Sequence, residues 1–350
     1  MLFYVGIIFI IALTSELLKY FVYPQKRMQF KALWGGFILA FFAACRAETV
    51  GVDTPQYVAA YKYIATLDWG NVISGTGLGS FEVGYRILTK AFSLISTSEH
   101  FFLLWTSVVT IVPMVIYIYK YSKSPTLSYI IYVLSGQYFM QIGVIRQSIA
   151  FSIVLLAFML VIEKKEHWLI NAVILILIAS TIHTAAIVAI AVVLTAKTQK
   201  VNFKFYLNCV LATLMIMIFG QSILAKIITR FSSYAGYANQ GGGVGRIVII
   251  GAIVLFVLLY KEILYEVDNR AAWWEKMLCL TFLLKVFSYF FVAASRAAAL
   301  FETSYVVVIP NTVSAIQKRD KIIWMFIIIG LFSFFYYTGY DARNSYIFWM

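Results

Sequence analysis

The sequence predicts an all-α polytopic membrane protein: a single integral membrane domain over residues 1–350 with about twelve transmembrane helices. Three observations predict it. The chain is 62% hydrophobic and only 12% charged, roughly half the charged fraction of a soluble domain. Apolar stretches of about 14 to 20 residues recur between short polar breaks, which suits helices that satisfy their own backbone inside lipid. The strict apolar–polar alternation of barrel strands is absent.

In chain order, helices are expected over 2–19 and 29–45. Lys19, Lys26, Arg27 and Lys31 lie between them. Basic loops stay on the cytoplasmic side, so the N-terminus is expected outside. Met1 to Leu18 lacks a basic leader and a small-residue cleavage site, and reads as a retained first helix rather than a signal peptide. Residues 46–99 form a long outer loop. Within it Asp53 is placed to cap a short helix with Pro55 in its first turn, and Tyr57 and Tyr61 share one face. An amphipathic piece, Phe81 to Leu94, follows a glycine-rich turn. That turn is no phosphate loop, because no strand precedes it and no Lys-Ser/Thr follows.

Further helices are expected over 100–119, 125–142 and 144–162, the last two joined by a tight outer turn carrying Arg146. Trp168 to Ala196 is too long for one span and too short for two full ones. Ser180-Thr181-Ile182-His183-Thr184 interrupts it, which predicts two short or tilted helices meeting at an outer turn. Lys197, Lys200 and Lys204 then fall inside. Helices over 205–222, 246–261, 275–294, 298–316 and 321–338 complete the map. A second outer loop, 223–245, carries Gly241-Gly242-Gly243.

The net charge of +13 raises nucleic acid as a partner, but in so apolar a chain basic loops set membrane orientation, and no nucleic-acid partner is expected. The three cysteines, Cys45, Cys209 and Cys279, lie in or beside spans without metal-ligand spacing. No metal cluster or cofactor motif is visible.

Lysine and arginine separate on this map. Lysines crowd the inner loops, whereas Arg46, Arg86, Arg146, Arg230, Arg246, Arg296 and Arg343 fall outside, against the orientation signal. Two readings stand. Arginines at helix ends snorkel to lipid headgroups. Alternatively, their planar, permanently charged forks hold an anion such as a pyrophosphate on a lipid carrier. Arg146 is the best candidate for the second, because its turn is too short to be a mere surface loop; Arg86 and Arg343 are expected on the surface. His183 is either a hydrogen-bonded structural residue or, with its near-neutral pKa, a proton-transfer group. Lys285, in mid-helix, needs a partner inside the bundle.

Arg46 followed by Gly51-Val52-Asp53-Thr54 and Tyr57 resembles the R…G-x-D…Y signature of the EpsG/Wzy family of membrane polysaccharide polymerases. Gly143 to Ala150 resembles that family's I-R-Q-x-(I/L)-A helix start. Ile182-His183-Thr184-Ala185 resembles its H-x-(S/A) turn. Arg296, with Phe301 and Tyr305, resembles a later arginine segment, although Ala297 to Leu300 stand where many members place aromatics sooner. The matches run in family order over about 46–305.

The resemblance implies an O-antigen or surface-polysaccharide polymerase of the bacterial inner membrane, with an architecture similar to GT-C glycosyltransferases. It implies an undecaprenyl-pyrophosphate-linked oligosaccharide as substrate on the periplasmic face, membrane lipids around the chain, and a partner that sets chain length. The expected site then has Asp53, His183 and Arg146 as catalytic candidates. Arg146, Arg296 and one of Arg230 or Arg246 would face the leaving pyrophosphate, while Arg46 and Tyr57 hold the loop or a sugar. An O-antigen ligase, or a flippase for lipid-linked oligosaccharides, is the alternative; a flippase wants charges along a central cavity, whereas here they gather on one side.

Overall fold

The computed structural model describes residues 1–79, 81–196, 201–230, 243–291 and 293–349; the side chains of Thr195, Ile227, Ile228, Arg230 and Ala293 lie outside the description. Lys197, Lys200, Gly241 and Gly242 also lie outside the described residues. The chain folds as two compact units, Met1–Val193 with Phe332–Met350, and Leu194–Leu331.

In the first unit, α1 (Leu2–Leu18) and α2 (Arg27–Ala44) match the expected first two helices. The long loop is itself helical: α3 (Thr54–Thr66), α4 (Trp69–Ser74) and the amphipathic α5 (Val83–Ser93). After it come α6 (Glu99–Tyr121), α7 (Pro125–Leu134), α8 (Gln137–Gly143) and α9 (Ile145–Glu163). The single helix expected over 125–142 is two, because Gly136 takes a left-handed conformation (φ +83°) at the break. The apolar stretch after Trp168 divides as expected, into α10 (Trp168–Ile182), a 3₁₀ turn at Thr184–Val188 and α11 (Ala189–Thr195).

The core of this unit packs α9 against α10, α2 against α6, and α6 against α9, with α5 lying on both α3 and α10. Buried tyrosines bind it across elements. The Tyr129 hydroxyl donates to Ala32 O, and Tyr138 donates to Leu39 O at 2.9 Å. Residues 343–349 strap the loop that follows α2: Gly51 N donates to Arg343 O (2.9 Å), Ala47 N to Ile347 O (2.8 Å) and Trp349 N to Cys45 O (2.9 Å).

The second unit contains α12 (Phe203–Arg230), α13 (Val244–Leu259), α14 (Lys261–Val267), α15 (Ala271–Ser288), α16 (Ala293–Glu302) and α17 (Tyr305–Ala315); α18 (Lys318–Gly339) begins there. The helix expected over 298–316 is interrupted after Glu302 and resumes at Tyr305. Here α15 packs against α12, α13 and α16. Lys285 meets Glu302 at 2.6 Å, both side chains buried, which supplies the partner a mid-helix lysine requires.

Among the described residues five helices are long and apolar enough to cross a membrane: Leu2–Phe21, Glu99–Tyr121, Ile145–Glu163, Phe203–Lys226 and Lys318–Gly339. The bent pair Val244–Leu259 and Lys261–Val267 makes a sixth if it is one span. Four shorter apolar helices accompany them, so the count by length is smaller than the twelve expected from hydropathy. Large apolar side chains such as Phe9, Met217, Ile218 and Phe326 face outward, as they do when the solvent is lipid. These helices mark a multi-pass membrane protein.

Candidate functional site

Two close backbone approaches in the first unit bring the sequence-predicted residues together. The first joins the loop after α2 to the α8–α9 junction. Gly51 has φ +115°, and a Cβ there would stand 2.8 Å from Gly143 Cα and collide with Thr54 Oγ1. With no side chain in the way, Asp53 N donates to Gly143 O at 3.3 Å and Thr54 Oγ1 to Ile142 O at 3.1 Å. Asp53 is thereby fixed beside the start of the helix that carries Arg146. The second approach joins α5 to the end of α10. A Cβ on Gly84 would lie 2.8 Å from the Thr181 carbonyl group. This seats Glu82, the residue before α5, on the His183–Thr184 turn.

Glu82 is the hub. Its Oε2 accepts from Arg146 Nη1 at 2.6 Å. Its Oε1 accepts from the Thr184 backbone N–H and from Thr184 Oγ1, both at 3.2 Å, and lies 3.5 Å from His183 Nδ1. Burial works to raise the Glu82 carboxyl. The His183 contact, the Arg146 charge and the Thr184 N–H outweigh burial and hold it at about 2, so it is ionised at neutral pH. Glu82 occupies the N-cap position of α5 but gives its side chain to the turn instead of its own helix.

Arg146 sits in the first turn of α9, where the helix N-terminus adds positive potential. Its guanidinium carbon lies 5.3 Å from the centre of the Phe81 ring. Phe81 packs on Tyr57 and Tyr85, ring centres 6.0 and 5.3 Å away. The Tyr57 phenol is pushed up by burial, against which the nearby Arg146 charge works. The His183 backbone is extended (φ −150°, ψ 113°), which ends α10 and turns the imidazole toward Glu82. Both ring nitrogens of His183, and Gln147 Nε2 in the next position after Arg146, are buried polar atoms with no hydrogen-bond partner among the described residues. Such atoms are costly unless a ligand or water meets them.

Asp53 is half-buried, and its carboxylate makes no hydrogen bond or ion pair among the described residues. It caps α3 only through its backbone position, not through its side chain. Its charge is felt by Tyr57 and by Arg343, whose guanidinium pairs with Asp341 at 2.6 Å. Of the two readings open for Arg46, its geometry is that of a loop holder. It is 1% exposed, and donates to Ala43 O, to Ser107 Oγ (2.9 Å) and to Ile142 O (2.9 Å). Arg86 donates to Ile73 O at 3.1 Å across the glycine-rich turn.

The remaining predicted arginines belong to the second unit. Arg246, in the first turn of α13, and Arg296, in α16, are exposed. Arg230 closes α12, and its side chain is not described. Among the described residues no group of three or more His, Cys, Asp or Glu is arranged to hold a metal.

Sequence reasoning assigned Glu82 no role. Its signal was weak: one acidic residue opening an amphipathic helix, 64 positions from Arg146 and 102 from Thr184. The strap formed by residues 343–349 left no signal at all.

No curated protein and no solved structure matches the chain. Residues 35–349 match the model of the EpsG family. That span contains the Gly51–Asp53 loop, the Arg146 turn, Glu82 and the His183–Thr184 turn, and on it the chain belongs to the EpsG family.

Proposed function

We propose that the chain is a surface-polysaccharide (O-antigen-type) polymerase of the bacterial inner membrane. It transfers a growing glycan from undecaprenyl pyrophosphate to the non-reducing end of a new lipid-linked repeat unit, on the periplasmic face. Membership of the EpsG family supports a polysaccharide polymerase-like activity. The single observation that carries the reading further is the Arg146–Glu82–His183 cluster: a fixed cation at a helix N-terminus beside an imidazole that turns Nδ1 to Glu82 and whose Nε2 has no hydrogen-bond partner among the described residues.

In the reaction, the acceptor hydroxyl oxygen forms a bond to the donor's anomeric carbon. The bond from that carbon to the pyrophosphate oxygen breaks, and its electron pair leaves with undecaprenyl pyrophosphate. Arg146 faces the charge that develops there. Glu82 Oε2 holds its Nη1 in place, and the first turn of α9 adds positive potential of its own. The hydroxyl proton passes to His183 Nε2 and then to water. Asp53, with no hydrogen-bond partner among the described residues, accepts from a sugar hydroxyl and orients it. The crowding of lysines into the loops opposite Arg146 supports the assignment of its face.

The test is a gel profile of surface polysaccharide from a deletion strain, complemented with wild type or Arg146→Ala. A single-repeat band, restored to a ladder by wild type alone, is expected. Bare core in the deletion strain would instead point to a ligase or flippase. A normal ladder from well-expressed Arg146→Ala would remove the role given to that residue.

A further inference from the structure

Glu82 lies outside every family-like segment of the sequence, yet its carboxylate joins two of them. Its two oxygens divide the work. Oε2 holds the Arg146 fork at 2.6 Å. Oε1 holds the turn after α10 through the Thr184 N–H and hydroxyl, and stands 3.5 Å from His183 Nδ1. The carboxylate is three-quarters shielded from solvent, the Arg146 side chain is 18% exposed and the His183 side chain 13%, so these contacts act in a low-dielectric setting.

We propose that Glu82 is the positioning residue of this site, one carboxylate that aims Arg146 at the leaving phosphate and sets His183 to receive the acceptor proton. The proposal rests on the polymerase reading above. A carboxylate facing Nδ1 favours the tautomer with its proton on that nitrogen, which leaves Nε2 as the acceptor, and stabilises the imidazolium once the proton arrives. A hydrogen bond of this kind is often long before substrate is bound and closes in the reacting complex. The same carboxylate prevents the Arg146 fork from folding back along α9. Among the described residues the charged group within 4 Å of His183 is Glu82 at the head of α5; Arg146 on α9 pairs with Glu82, and its charge reaches the phenols of Tyr57 on α3 and Tyr85 on α5.

The experiment uses the full-length protein, purified and reconstituted into liposomes, with lipid-linked repeat units extracted from the deletion strain. Rates of wild type, Glu82→Gln and Glu82→Asp are followed from about pH 5 to 9, spanning the histidine range. Glu82→Gln keeps the size and an acceptor oxygen but removes the charge. We expect its rate to fall by about a hundredfold or more, the scale of a general base that is no longer held. The acid limb of its pH–rate profile departs from that of wild type, because a charge within 4 Å of the imidazole is gone. Glu82→Asp keeps the charge, and should keep the wild-type limb and at least about a tenth of the rate.

A Glu82→Gln rate near wild type, or a slowed rate with an unmoved acid limb, overturns the proposal and leaves Glu82 as scaffolding. If Glu82→Gln does not accumulate, the Asp variant decides alone: accumulated but as inactive as Arg146→Ala, it overturns the proposal as well. A wild-type protein that elongates nothing sinks the polymerase reading, whatever Glu82 does.

Discussion

Replacing Gly51 with alanine tests how the site is assembled. Gly51 holds φ +115°, which disfavours any side chain by about 1–3 kcal/mol. The added Cβ would also stand 2.8 Å from Gly143 Cα, a backbone atom with no rotamer to escape into, so overpacking adds about 1–3 kcal/mol. The loop relieves both by moving away from the α8–α9 junction, which breaks the Asp53 N to Gly143 O and Thr54 to Ile142 O hydrogen bonds. A shift of about 1 Å at a positioned group costs on the order of a hundredfold in rate. Gly51→Ala should therefore reach the membrane at reduced but measurable level and give little polymer per molecule, read by immunoblot beside a polysaccharide gel. Gly136→Ala is the control. Its φ is also positive (+83°), but a Cβ there meets nothing within 4 Å, so only the backbone term applies and the ladder should persist. A full ladder from Gly51→Ala at normal abundance would refute the claim that this approach sets the site. Equal loss from both glycine variants would assign the effect to strain alone.

Arg46→Lys should lower abundance of the folded protein, because a point charge does not span Ser107 and the Ala43 and Ile142 carbonyls as the guanidinium does; a cost of about 2–4 kcal/mol is expected, read as a drop in detergent melting temperature. Breaking the Lys285–Glu302 pair with Lys285→Met alone strands a buried carboxylate and should destabilise by about 3–5 kcal/mol, whereas Lys285→Met with Glu302→Leu should recover most of it; equal loss in single and double variants would contradict the pairing. The pH dependence follows from Glu82, whose folded value of about 2 lies below its ordinary 4.5. Its contribution to stability is therefore complete above 4.5 and fades as pH falls toward 2. As pH falls below 4.5 the wild type should lose its advantage over Glu82→Gln, read as a convergence of the two melting temperatures.

Much of this was legible in the sequence because lipid imposes simple rules. Apolar length gave α1, α2, α6 and α9, and the polar break at Ser180–Thr184 gave the turn that presents His183. What failed was local or long-range. Gly136 and the residues after Glu302 divide expected single helices, since one backbone dihedral or a short non-helical link interrupts a span without changing its hydropathy. For Arg46 the sequence left loop and sugar open, because its carbonyl partners, being backbone, leave no mark in it. The role of Glu82 depends on a partner 64 positions away and on others 101 and 102 positions away, brought near by Gly84 on Thr181. Only the fold supplies that pairing.

The central claim is that Arg146 works at a glycosyl-transfer site. The most direct measurement is elongation by the purified, reconstituted protein on lipid-linked repeats extracted from the deletion strain, with polymer length and released undecaprenyl pyrophosphate followed together. Wild type should build a ladder and release one lipid pyrophosphate per bond formed, and Arg146→Ala, equally abundant and equally folded, should do neither. Elongation by Arg146→Ala at the wild-type rate, or no pyrophosphate release from an active wild type, would contradict the account.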